Sequence, residues 1–143
     1  MVIYQITMGN GNALAIDGNN PGIGSQLILA KSNPSDQKQQ WFWVYAPDLQ
    51  ASVLFNPSSN LYATAQTIKS GAPIILTQAT ADLTKNNTFQ VLGANASAVR
   101  PLANTDLNMN ALGNDWGPGT KVGLWSWDKG RPNELWTTTA IEL

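Results

Sequence analysis

The chain has 143 residues, 43% of them hydrophobic, enough for one compact domain with a core and too little for two. Eight basic residues, scattered along the chain, stand against nine acidic ones; a formal charge of −1 without a basic cluster argues against nucleic acid as a partner. Cysteine and histidine are both missing, which removes disulfides, thiolate and imidazole metal sites and the commonest general base, so neither a metal nor a cofactor is expected.

The first ten residues, MVIYQITMGN, hold neither a basic n-region nor an apolar h-region. No run approaches the roughly 20 apolar residues of a membrane span, so a cytoplasmic protein is expected. Ile3-Tyr4-Gln5-Ile6-Thr7 then reads as a strand, rich in branched and aromatic side chains. Asp17-Gly18-Asn19-Asn20-Pro21-Gly22 is a turn, Leu27-Ile28-Leu29 a second apolar strand, and Trp41-Phe42-Trp43-Val44 a third. Along a strand Trp43 shares a face with Trp41, which predicts a core or interface position for it.

The same elements return twice further on. Gly24, Gly71 and Gly119 lie 47 and 48 residues apart, and each opens an apolar run that ends at Leu29, Leu76 or Leu124, with the same spacings. Gln39-Gln40-Trp41, Asn87-Thr88-Phe89 and Glu134-Leu135-Trp136 put three aromatic residues in register, and ALAID from Ala13, LYATA from Leu61 and LNMNA from Leu107 precede the glycines. Three markers recurring in one order in three units are an internal repeat. Short strands, turn residues and three-fold repetition predict an all-β fold, a β-trefoil, in a single domain over 1–143 with repeats of about 1–47, 48–94 and 95–143. Such a sheet closes on itself and leaves few exposed edges.

Fifteen asparagines and nine glutamines outnumber the charged residues. A surface of that kind offers hydrogen bonds with little net field, which suits a neutral polar ligand.

The Gln-x-Trp of repeat one, its Glu-Leu-Trp counterpart in repeat three and the degenerate copy ending at Phe89 resemble the ricin-B-type, or R-type, β-trefoil lectins over essentially the whole chain. The lack of cysteine brings the sequence nearest in style to the cytoplasmic fungal ricin-B-like lectins. The resemblance implies a non-enzymatic lectin for neutral glycans, with galactose or N-acetylgalactosamine as the sugar, a possible homodimer for avidity and a defensive role. It also implies that Trp41, Phe89 and Trp136 are core residues, and that the polar residue two before each ties down backbone.

A sugar has an apolar CH face and a rim of hydroxyls, so a site for it needs an aromatic plate and directional polar groups. The resemblance places these as an Asp ending the second strand of a repeat, an aromatic on the third, and an Asn or Gln just before the core aromatic. Repeat one then offers Asp17, Gly18 and Gln39, but Ala30 stands in the aromatic slot. Repeat two has Thr64 and Thr77 for the Asp and the ring, and Asn86 and Asn87 before Phe89. Repeat three is the fullest, with Asn110 in the Asp position, Trp125 as the plate, and Asn133 and Glu134 before Trp136. Its insertion Gly113-Asn114-Asp115-Trp116-Gly117 adds Asp115 as a second carboxylate and Trp116 as a second ring, on a loop where functional residues concentrate. Trp127 competes with Trp125 for the role of plate.

Two other functions fit the scaffold. A β-trefoil protease inhibitor would act through an exposed loop and would not require the Gln-x-Trp pattern. A glycoside hydrolase would need two of Asp17, Asp115, Asp128 and Glu134 to converge across one cleft.

Overall fold

The computed structural model describes residues 2–78, 86–113 and 115–142. Among the described residues the strands are β1 (Tyr4–Thr7), β2 (Ala13–Ile16), β3 (Leu27–Ala30), β4 (Phe42–Ala46), β5 (Ala51–Asn56), β6 (Leu61–Ala65), β7 (Ile74–Thr77), β8 (Thr88–Val91), β9 (Val99–Pro101), β10 (Leu107–Ala111), β11 (Val122–Ser126) and β12 (Thr137–Ala140). Single 3₁₀ turns cover Gln37–Gln39 and Pro132–Glu134. The fold is a β-trefoil with four strands to each repeat.

Six strands form the barrel. β1 pairs with β12, β4 with β5, β5 with β8 and β8 with β9, all antiparallel, and the bridges Tyr4–Trp41 and Ser97–Trp136 complete the ring. The other six form the hairpins β2–β3, β6–β7 and β10–β11. Hydrogen bonds between hairpins are the same at all three junctions. The N–H of Gly24 donates to Leu76 O (2.8 Å), that of Gly71 to Leu124 O (2.7 Å) and that of Gly119 to Leu29 O (2.7 Å). Each leucine N–H donates back into the loop that it meets, to Ser25, Ala72 and Thr120 O. The glycines have φ of +89°, +87° and +92°, a left-handed conformation that side-chain-bearing residues adopt at a cost of about 1–2 kcal/mol. The repeat markers in the sequence are thus the contacts that join one repeat to the next.

The core is built from layers of three. Ile6, Leu54 and Val99 form one, Leu27, Ile74 and Val122 another, and Leu29, Leu76 and Leu124 a third, all buried. Trp41, Phe89 and Trp136 are 0%, 0% and 1% exposed, as expected of core aromatics. The indole N–H groups of Trp41 and Trp136 donate to Leu14 O (3.1 Å) and Met109 O (2.9 Å), so each ring's polar atom is satisfied inside the core. Trp43 packs half-buried against this core and donates to Thr138 Oγ1 (3.4 Å).

The pairing of strands also fixes which residues are equivalent. Leu29 faces Leu14, Leu76 faces Ala63 and Leu124 faces Met109. Just past these strands the N–H groups of Asp17, Gln66 and Leu112 donate to Gln26, Pro73 and Lys121 O, each carbonyl two residues after a junction glycine. The counterparts of Asp17 are therefore Gln66 and Leu112. Thr64 and Asn110, expected in the Asp position, instead match Ala15, because hydrophobic markers alone do not fix the register of short apolar strands.

Candidate functional site

Repeat three contains a cleft of about 360 Å³ lined by Asn110 to Gly113, Trp116, Trp125, Asp128, Arg131, Asn133 and Glu134. Five of the six residues expected of this site (Asn110, Trp116, Trp125, Asn133 and Glu134) line it together.

Trp125, near the end of β11 and 50% exposed, presents its ring to the cleft, whereas the equivalent positions hold Ala30 and Thr77. An indole held half in solvent on a strand is suited to stacking against an apolar ligand face. Trp127 does not line the cleft. It follows the last residue of β11, so strand alternation no longer aligns it with Trp125, and the Arg100 guanidinium sits 4.9 Å from its ring centroid. Trp116 forms another wall. Its ring packs partly on the core and donates to Gly113 O (3.1 Å), while its carbonyl accepts from the side chains of Asn10 and Asn12, both at 2.9 Å. Repeat one thereby braces the Trp116 loop of repeat three.

The polar groups are arranged differently from expectation. Asp115 is exposed, does not line the cleft, and accepts from Gly117 N (3.1 Å) to close a turn within its own loop; Asn114 lies outside the described residues. The exposed carboxylate at the cleft is Asp128, held by Arg131 Nε at 3.0 Å. Sequence reasoning assigned the sugar no contact with either residue. The signal for them was Asp128-Lys129-Gly130-Arg131-Pro132, a tight turn directly before Asn133. Asn133 donates from Nδ2 to Ala111 O (3.1 Å), as Asn86 donates to Ala65 O in repeat two (3.4 Å), so this asparagine fixes a strand end while lining the cleft.

Below lies a buried polar floor. Glu134 is 0% exposed, and its two oxygens accept from the backbone N–H groups of Asp128 (3.0 Å), Gly130 (2.8 Å) and Arg131 (3.2 Å). Asn108 and Asn110 are buried beside it, their side chains hydrogen-bonded to each other, with Asn108 Nδ2 3.5 Å from Glu134 Oε1. Glu134 and Asn110 belong to the floor and the framework, not to the exposed acceptors, because a carboxylate out of water must be satisfied by fixed donors.

The other repeats lack such a cleft among the described residues. In repeat one Asp17 and Gly18 are exposed, Ala30 gives no plate, and Lys38 Nζ reaches Gly18 O (3.4 Å) across the position. Gln39 is buried and engaged at both ends: Oε1 accepts from Asn33 N (2.9 Å) and Gln5 Nε2 (3.0 Å), and Nε2 donates to Lys31 O (2.9 Å). It ties a loop and is not placed to meet a ligand. In repeat two the hydroxyls of Thr64 and Thr77 bond each other at 2.6 Å, so each satisfies the other. Of the four carboxylates considered for hydrolysis, Asp17 and Asp115 lie outside the cleft, while Asp128 and Glu134 both line it, Glu134 with its oxygens held by backbone donors.

No protein-family model and no curated protein matches this sequence. Among solved structures, the chain is similar to the designed three-fold symmetric protein ThreeFoil, with TM-score 0.85 and 16% identity over 97% of this chain and 99% of that one. It is similar to the C-half of an earthworm R-type lectin in complex with GalNAc, with TM-score 0.74 and 17% identity over 99% and 100% of the two chains. A third is the Macrolepiota procera ricin B-like lectin in complex with lactose, with TM-score 0.76 and 22% identity over 95% and 93%. At these identities the likeness establishes the β-trefoil fold.

Proposed function

We propose that this protein is a non-enzymatic lectin that binds a neutral glycan in the cleft of repeat three. The observation that carries the reading is the half-exposed Trp125 ring beside the Asp128 carboxylate, a plate and an acceptor on one cleft, where the other repeats have Ala30 or Thr77 in place of the ring. Trp125 would stack on the apolar face of a sugar, and Asp128 would accept hydrogen bonds from its hydroxyls while Arg131 fixes the carboxylate. Asn133 adds a further polar group at the rim.

Charge favours a neutral ligand. Asp128 and Arg131 offset each other, and the buried Glu134 leaves the cleft negative, which disfavours acidic sugars. Galactose and N-acetylgalactosamine are the monosaccharides of choice, since two proteins of the same fold, the earthworm and Macrolepiota procera lectins, are found in complex with GalNAc and lactose. A non-catalytic role fits Glu134, whose oxygens are held by backbone N–H groups and are not free to act as base or nucleophile. With one complete cleft per chain among the described residues, cross-linking a glycosylated surface would take a second copy, and avidity would come from assembly. A cytoplasmic location is part of the same proposal.

A glycan array on the unmodified protein tests this directly. Neutral galactose- or N-acetylgalactosamine-terminated glycans are expected to bind and their sialylated forms to bind more weakly. Silence across the array, together with inhibition of a serine or cysteine protease, would replace the lectin with a β-trefoil inhibitor.

A further inference from the structure

Repeats one and three bury a polar side chain at the same place, two residues before the core tryptophan, and the loops that these side chains hold differ in chemistry. Gln39 meets one backbone donor, Asn33 N, and one backbone acceptor, Lys31 O, which a carboxamide matches at both ends. Glu134 meets donors and no acceptor in its turn: the backbone N–H groups of Asp128, Gly130 and Arg131, with the Asn108 amide 3.5 Å from Oε1. A carboxamide there would set its NH₂ against an N–H, whereas a carboxylate accepts at both oxygens. Lys129 and Gly130, at φ +59° and +76°, are consecutive left-handed residues that coil the turn around the carboxylate.

Other residues have changed along with it. Asn108 and Asn110 stand beside Glu134 where repeat one has Ala13 and Ala15, and the buried charge has amides for neighbours instead of methyl groups. Arg131, at the end of the turn, bonds Asp128 with its side chain and offers Glu134 its backbone N–H.

We infer that Glu134 is a positioning residue: a buried carboxylate that holds the 128–131 turn so that the Asp128–Arg131 pair stands at the mouth of the cleft. Its consequence for binding rests on the reading of the cleft as a glycan site, while its effect on the turn does not. Glu134 governs how firmly Asp128 is presented without touching the ligand, and a fixed acceptor loses less freedom when a sugar binds.

The test uses Glu134→Gln in the full chain, first without sugar. Amide hydrogen exchange followed by NMR is expected to speed up at Asp128, Gly130 and Arg131 by about tenfold or more, the loss of hydrogen bonds to a charged acceptor, with no change at Asn33. Unchanged protection at the three amides would overturn the inference. If the variant does not fold, Glu134→Asp, which keeps the charge on a shorter stem, is expected to lose part of that protection, and full protection would overturn the inference equally. Lactose titration followed by tryptophan fluorescence then asks whether the turn matters for binding. Affinity is expected to fall about tenfold in Glu134→Gln, and the double variant with Asp128→Asn is expected to lose less than the sum of the two single losses. Additive losses would show that Glu134 does not act through Asp128. If the unmodified protein ignores lactose, the sugar assignment fails and the amide measurement still decides the role of Glu134.

Discussion

In repeat one, Gln39 ties Lys31 and Asn33 together over Ala13, Ala15 and Ala30, and Lys38 Nζ reaches Gly18 O above them. In repeat three, Glu134 ties Asp128, Gly130 and Arg131 together over Asn108 and Asn110, and Trp125 stands beside an open cleft. Beneath both, Trp41 and Trp136 occupy the same buried position and donate to the same strand carbonyl of their repeat. The two repeats therefore share whatever the three-fold core demands and differ in the layer outside it. Repeat three thus carries a cleft on the same core that repeat one shares.

The largest effect that would break this comparison is expected in the shared part. Trp136→Ala and Trp41→Ala should each lower stability by about 3–5 kcal/mol in urea denaturation, since both leave a large cavity and an unpaired carbonyl. A clear inequality between them would mean that the repeats do not carry the core equally. Trp125→Ala should behave in the opposite way, with a midpoint close to that of the parent and galactoside binding at least about tenfold weaker by titration calorimetry. Folding and glycan binding both left intact would remove the cleft from the function.

Smaller effects sharpen the comparison. Gly119→Ala should cost about 1–2 kcal/mol in the same denaturation experiment, because the residue must keep a left-handed φ to donate to Leu29 O. Asp128→Asn should weaken galactoside binding about five- to tenfold, with little change in stability for an exposed pair. Asp17→Asn should change neither quantity beyond measurement error, because Asp17 lies outside the cleft; a loss of binding would reveal a working site in repeat one.

The fold was largely legible in the sequence, and the reason is visible in the contacts. Gly24, Gly71 and Gly119 recur because each must adopt positive φ at a junction, and Leu29, Leu76 and Leu124 recur because they fill one layer of the core and accept those junction hydrogen bonds. Both constraints act through backbone conformation and apolar volume, which leave a periodic trace in residue type. Trp125 was legible for the complementary reason, as an aromatic where two repeats have a small residue.

The rest of the site required the tertiary structure. Asp115 and Asp128 are both acidic residues in glycine-containing loops of repeat three, and nothing in the chain order says which one faces the cleft; the coil of Lys129 and Gly130 around Glu134 brings Asp128 to it. The register of β10 against β11, not the residue types, decided that Leu112 and not Asn110 corresponds to Asp17. The glutamate in place of glutamine at position 134 could be read from the sequence as a variant of a motif, but its meaning depends on three N–H groups converging on it from a turn. Sequence by itself fixed what repeats, because a three-fold core imposes the same volume and φ three times, whereas hydrogen-bond donors and acceptors acquire direction only once the loops are closed.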